Sequence, residues 1–159
     1  MFCSPQICDI LKDNGFDKYD HQKEEKMSGK KEKAPSMDQW LQEAKEDKNA
    51  ASCGMYLFHN GVVRQTAKAS VRQGEKELPP VAGLILSYDE QKVQKAVEMA
   101  KEMPGIYYAR VWLNQGELQV GDDMMRVLVG GDIRPRVIDA LQALVEEIKL
   151  NCVKETEIF

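Results

Sequence analysis

The sequence predicts an α+β sandwich in a single domain, and three observations carry that prediction. Apolar runs of strand length alternate with two longer segments of helical period, no internal repeat divides the chain, and no glycine-rich phosphate loop of Rossmann or Walker type occurs. At 159 residues, with 43% hydrophobic and 30% charged residues, there is room for one modest core.

The elements follow in order. Residues 1–36 mix Lys, Glu, Asp, Ser, Gly and Pro with little apolar periodicity, so a flexible N-terminal extension is expected there and a folded domain over 37–159. The run Lys23-Glu24-Glu25-Lys26-Met27 admits Met27 as a native start, because its codons can be purine-rich like a ribosome-binding site. Ser36 is placed to cap a short helix containing Trp40, Leu41 and Ala44, since its hydroxyl can accept from free first-turn amides. Gly54–Phe58 and Val81–Leu86 are short apolar runs between turn residues and read as strands. The polar segment 65–80 between them carries Lys68, Arg72 and Lys76 with Gly74 and Pro79-Pro80, which suits either a segment over a site or a solvated loop.

Asp89 opens a helix in which Val93, Ala96, Val97 and Ala100 recur at helical spacing, and Pro104-Gly105 stops it. Ile106–Leu113 follows as an aromatic and β-branched strand, Gly116–Asp123 as a turn-rich connection and Met124–Val129 as another strand. Tyr107, Tyr108 and Trp112 fit either core or an interface. A last helix begins near Pro135, and Val137, Ile138, Leu141, Leu144, Val145 and Ile148 give it a continuous apolar face for packing on the sheet.

The bulk chemistry excludes several function classes. A net charge of −4 argues against broad nucleic-acid binding, which needs a basic surface to release counterions. No apolar run approaches the roughly 20 residues of a membrane span, and the N-terminus lacks secretory-signal features, so a cytoplasmic protein is expected. Cys3, Cys8, Cys53 and Cys152 form no C-x-x-C pair, and His21 and His59 lie far apart, so no zinc site is expected. Cys53 and Cys152 read as small packed residues rather than nucleophiles.

From Gly116 the chain reads Gly-Glu-Leu-Gln-Val-Gly-Asp-Asp, then a strand, then Val129-Gly130-Gly131-Asp132-Ile133-Arg134, then a long helix ending at Lys149. This resembles the large, catalytic subunit of molybdopterin synthase, in which a Gly-Glu-Leu-x-x-Gly-Asp turn, a strand, a helix-head arginine and a helix-end lysine occur in the same register. Upstream, Phe58 with Gly61-Val62-Val63-Arg64 is similar to the family's Phe-x-Gly-x-Val-Arg segment with one additional residue, and Leu84 to Met103 fits its strand and first large helix. The resemblance covers roughly residues 50–155. It implies a MoaE-like α/β hammerhead sandwich, with a mostly antiparallel sheet and two main helices.

The resemblance also implies a homodimer that binds two small ubiquitin-like sulfur-carrier subunits, each inserting a C-terminal Gly-Gly thiocarboxylate tail. The substrate would be cyclic pyranopterin monophosphate (precursor Z) and the product the molybdopterin dithiolene. No resident cofactor is implied, since the pterin is substrate and product. Lys149 would hold the thiocarboxylate or act in sulfur transfer, and Lys154 resembles a second lysine in the family's Phe-Trp-Lys-x-Glu segment. Arg64 and Arg134 would bind pterin and phosphate, work suited to a planar, permanently charged donor, and Phe58 would join them in substrate binding. Each of these side chains also fits an ordinary surface or core position.

Three features depart from the family pattern. Ile133 stands where members commonly carry a histidine, the stretch before the first large helix is reduced to Ser87-Tyr88-Asp89-Glu90, and the sequence stops at Phe159, short of the tail found in many members; two residues are also missing between the lysines, which weakens the Lys154 match. They leave two functions open: a sulfur-transferring enzyme, or a non-catalytic dimer that binds a ubiquitin-like partner.

Overall fold

The computed structural model describes residues 33–74 and 78–159; the expectations placed on residues 1–32, including a start at Met27, lie outside them. Helix α1 (Met37–Lys45) begins where Ser36 caps it, the Ser36 hydroxyl accepting from the Gln39 amide at 3.3 Å. Strand β1 (Met55–Val62) then enters a sheet beside β5 (Asp123–Gly131), whose other neighbour is β3 (Ile106–Leu113). A second three-stranded sheet has β2 (Gly83–Tyr88) between β4 (Gly116–Gln119) and β6 (Val153–Ile158). All four strand pairings are antiparallel.

The expected α+β sandwich is therefore present, with its antiparallel pairing divided between two sheets. Its two main helices are α3 (Glu90–Lys101) and α4 (Arg134–Glu147). Asp89 caps α3 by accepting from the Lys92 amide at 3.1 Å, and Gly105 turns the chain into β3 at φ 77°.

Strand β5 holds the layers together because both of its faces are covered. Val127 and Val129 point into the main core with Ala96, Val97 and Ala100 of α3 and Val137, Ala140 and Leu144 of α4. Leu128, between them, points the other way and packs with Trp40 and Ala44 of α1. Tyr56, Phe58, Tyr108 and Trp112 close around that second cluster, so the aromatic strand contributes to intramolecular packing while Tyr107 stays exposed. The Arg110 guanidinium lies 4.4 Å over the Trp40 ring and is ion-paired with Glu43, tying α1 to β3.

Three local expectations are corrected, and one strand is added. Gly116–Asp123 is more than a turn-rich connection: Gly116–Gln119 forms β4 with Leu118 fully buried, a four-residue alternation hidden among glycines and acidic residues. The segment 65–80 contains a five-residue helix, α2 (Lys68–Arg72). The last helix does not run evenly to Lys149; α4 ends at Glu147 and a π-helical turn, Ile148–Cys152, carries the lysine. Finally, Val153–Ile158 is a strand, which apolar patterning misses because Glu155 and Glu157 alternate on one of its faces.

Candidate functional site

Strand period decides which side chains of β1 meet the site. Leu57 and His59 face α4, whereas Phe58 points to the α1 side. The wall opposite is the exposed edge of α4, with Ile138, Leu141 and Val145. Between these walls lies a cavity of about 610 Å³, and the π-helical turn brings Lys149 to its end. Such widened turns re-aim side chains without ending a helix. Here Ile148 and Cys152 stay buried in the core while Lys149 reaches Glu155 of β6.

Glu155 is the electrostatic centre of the site. Its side chain is only 6% exposed, yet it meets two ammonium groups: Lys149 Nζ lies 3.5 Å from Oε1, and Lys68 Nζ is ion-paired with Oε2. Burial alone would push the carboxyl pKa up, but Lys68 and Lys149 outweigh it and hold Glu155 below its ordinary value. The backbone amide of Lys68 also donates to Glu157 Oε1 at 2.9 Å, so both inward carboxylates of β6 hold α2 over the cavity.

A second, smaller cavity of about 160 Å³ adjoins the first, sharing Lys68, Arg72, Lys149 and Glu155 with it. Arg64 lines this smaller space, with its Nε donating to the Thr66 carbonyl at 3.1 Å. Its charged lining is four cations, Arg64, Lys68, Arg72 and Lys149, against Glu155 and Glu157. An anion entering there meets an excess of positive charge beside an apolar wall, conditions that strengthen charge-assisted hydrogen bonds.

Of the five residues singled out in the sequence, the structure brings Arg64 and Lys149 together. Phe58 packs against the α1 cluster. Lys154 projects from the opposite face of β6 from Glu155, exposed beside Ser87, Asp89 and Lys92. A Lys-x-Glu pattern would place both side chains on one strand face, whereas adjacent residues point apart. Arg134 is exposed at the start of α4, and Lys149 comes fifteen positions later, roughly 22 Å along a helix. One small ligand within a single chain does not span that distance.

Four residues of the site are not singled out by the sequence for this role. Lys68 and Arg72 were visible only as charges of a polar segment, and Glu155 as part of the Lys154 match. His59 was considered only for zinc. Its Nε2 is buried without a hydrogen-bond partner, and burial, then the nearby Lys149 charge, lowers its pKa from the ordinary 6.5. The signal that finds His59 is alternation along β1, which puts it on the face of Leu57. Among the described residues no group of three or more His, Cys, Asp or Glu side chains is placed to hold a metal ion, and no helix is long and apolar enough to cross a membrane.

The family model described as MoaE protein matches residues 31–151. The chain belongs to the MoaE family. Solved structures with the MoaE fold include the molybdopterin synthase of Staphylococcus aureus, which is 18% identical with a TM-score of 0.61 over 79% of this chain and 85% of that one. The molybdopterin biosynthesis MoaE protein of Burkholderia ambifaria is 14% identical with a TM-score of 0.60, covering 79% of this chain and 84% of that one. The Helicobacter pylori complex of subunits 1 and 2 of molybdopterin-converting factor gives 17% identity, a TM-score of 0.55 and coverage of 79% and 84%. At these identities the likeness to solved structures is one of fold. A comparison with curated proteins finds no match. The MoaE match begins just before α1 and ends within the π-helical turn, so Lys149 falls inside it and Glu155 beyond it.

Proposed function

We propose that this MoaE family member acts in molybdenum cofactor biosynthesis as the catalytic subunit of a molybdopterin synthase. It would transfer sulfur from the C-terminal thiocarboxylate of a small ubiquitin-like subunit to cyclic pyranopterin monophosphate, in the cytoplasm. Family membership supports the pathway, and the Helicobacter pylori complex of two converting-factor subunits supports the kind of partner. The observation that carries the reading is Lys149 at the junction of two cavities, with Arg64 in the smaller one.

In this reading the thiocarboxylate sulfur bonds to a side-chain carbon of the pterin as a carbon–oxygen bond breaks. Water then cleaves the acyl–sulfur bond, which returns the tail as a carboxylate and leaves a thiolate on the pterin; repetition gives the dithiolene. Lys149 holds the anionic tail terminus and stabilises the oxyanion formed when water attacks, while Arg64 binds an anionic group in the smaller cavity beside it. Lys154 faces away from this chemistry. Arg134 can join a pocket of this type only from a second copy, consistent with the homodimer and the heterotetramer with the small subunit that the family resemblance implies.

Two observations favour the second reading, a non-catalytic dimer that binds a ubiquitin-like tail: Ile133 replaces a histidine, and Lys154 is turned out of the pocket. Incubation with precursor Z and a thiocarboxylated small subunit from the same genome separates the two readings. Dithiolene-containing pterin that is lost in Lys149→Ala supports the synthase; tail binding without product supports the module.

A further inference from the structure

We propose that Lys68, carried by α2, is the second catalytic lysine of the pocket, and that the point where Lys68 and Lys149 share Glu155 is the site of sulfur transfer. The inference rests on the synthase reading and names the groups that would perform it. It begins from cavity size. The space of about 610 Å³ is large enough for a fused-ring ligand, whereas the adjoining space of about 160 Å³ suits a slender occupant such as an extended glycine tail. A reaction between a pterin in the first and a tail terminus in the second must take place where the two spaces meet. Lys68, Arg72, Lys149 and Glu155 border both.

Among these four, the two lysines already hold a carboxylate. Lys68 Nζ contacts one oxygen of Glu155 and Lys149 Nζ lies 3.5 Å from the other. A terminal carboxylate or thiocarboxylate has the same shape and charge, so Glu155 marks the place and orientation that an incoming terminus adopts as it competes for the two ammonium groups. Lysines suit this role because each is a rotatable point charge that can follow the anion, while Arg72, which also borders the larger space, supplies a planar donor better matched to the pterin phosphate. Lys68 and Lys149 have side chains 38% and 32% exposed, so both can turn from Glu155 toward a ligand. Glu157, which accepts from the Lys68 backbone amide, keeps α2 in place while the Lys68 side chain moves.

The arrangement also explains how the pocket works with Lys154 outside it. Two lysines meet there, one from the π-helical turn and one from α2, and strand β6 contributes their shared counter-ion instead of a lysine.

The test uses a fluorescein-labelled decapeptide ending in Gly-Gly, as the free carboxylate and as the C-terminal amide, with affinity read by anisotropy alongside the dithiolene assay. Wild-type protein should prefer the carboxylate. Lys68→Ala should reduce that preference by about tenfold, the worth of one charge-assisted hydrogen bond, and slow turnover. Lys68→Arg should retain most of the preference, and Lys154→Ala should leave it unchanged. A preference that survives in Lys68→Ala, or that depends on Lys154, overturns the assignment. Product formation by the wild type with no carboxylate preference removes this inference and leaves the synthase reading standing. A Lys68-dependent preference without any product removes the synthase reading and establishes the two-lysine site as a tail-binding site.

Discussion

Replacing Glu155 by Gln removes the charge that Lys68 and Lys149 share while keeping the shape of the side chain. At 3.5 Å and an effective dielectric of about 20, the Lys149 pair alone has a Coulomb energy of about 5 kcal/mol. Most of that is offset by the cost of burying Glu155 and by water reaching the lysines, whose side chains are about a third exposed. A net worth of about 1 kcal/mol per pair remains, or about 2 kcal/mol for the Glu155→Gln substitution. For a chain of this length the loss corresponds to a melting temperature lower by roughly 6 °C at neutral pH. The pH dependence follows from the direction of the Glu155 shift. Its folded pKa lies below the ordinary 4.5, so its stabilisation is complete above that pH and disappears as pH falls through the folded value. Thermal and urea unfolding of both proteins should show a gap at pH 7 that narrows in acid. Equal midpoints at pH 7, or a gap that persists unchanged in acid, would refute the shared-counter-ion account.

Two further outcomes follow from the same geometry. His59 has its folded pKa lowered from 6.5, so the folded protein resists protonating it and stability declines as pH falls below 6.5 toward the folded value. His59→Leu should flatten that part of the urea midpoint against pH, and an unaltered slope would contradict the burial argument. Trp40→Ala should cost about 3 kcal/mol and free α1, because a nine-residue helix without its packed ring is marginal on its own. Limited proteolysis should then cut within 37–45, where the wild type resists, and protection equal to wild type would show that α1 is held by other contacts.

Much of the fold is legible in the residues because it rests on burial at regular spacing. Val93, Ala96, Val97 and Ala100 announce α3, and Val137, Leu141 and Leu144 announce α4, since both helices hide one face against a sheet. Strands β4 and β6 are illegible for opposite reasons. β4 is too short for its single large apolar residue, Leu118, to establish a period. β6 carries carboxylates where an inward strand normally carries apolar side chains, and the ammonium groups of Lys68 and Lys149 on Glu155 and the Lys68 amide on Glu157 make that placement tolerable. The site divides in the same way. The family resemblance points to Lys149 and Arg64, which line one cavity, but the partners that give them a setting come from separate elements. Lys68 arrives from a short helix about eighty positions before Lys149, and no local pattern records that meeting. Lys154 lies on the other face of β6 from Glu155, because a match of letters does not preserve the phase of a strand.

The most direct test of the pocket is a zero-length coupling experiment. The small ubiquitin-like protein ending in Gly-Gly, from the same genome, is mixed in its carboxylate form with this protein. A water-soluble carbodiimide is added, and the amide formed between the terminal glycine and a lysine is located by mass spectrometry. The expected product joins that glycine to Lys149 or Lys68. Coupling to Lys154, on the far face of β6, or to Lys92 of α3 beside it, or to neither pocket lysine in an otherwise intact complex, would contradict a tail terminus seated at Glu155.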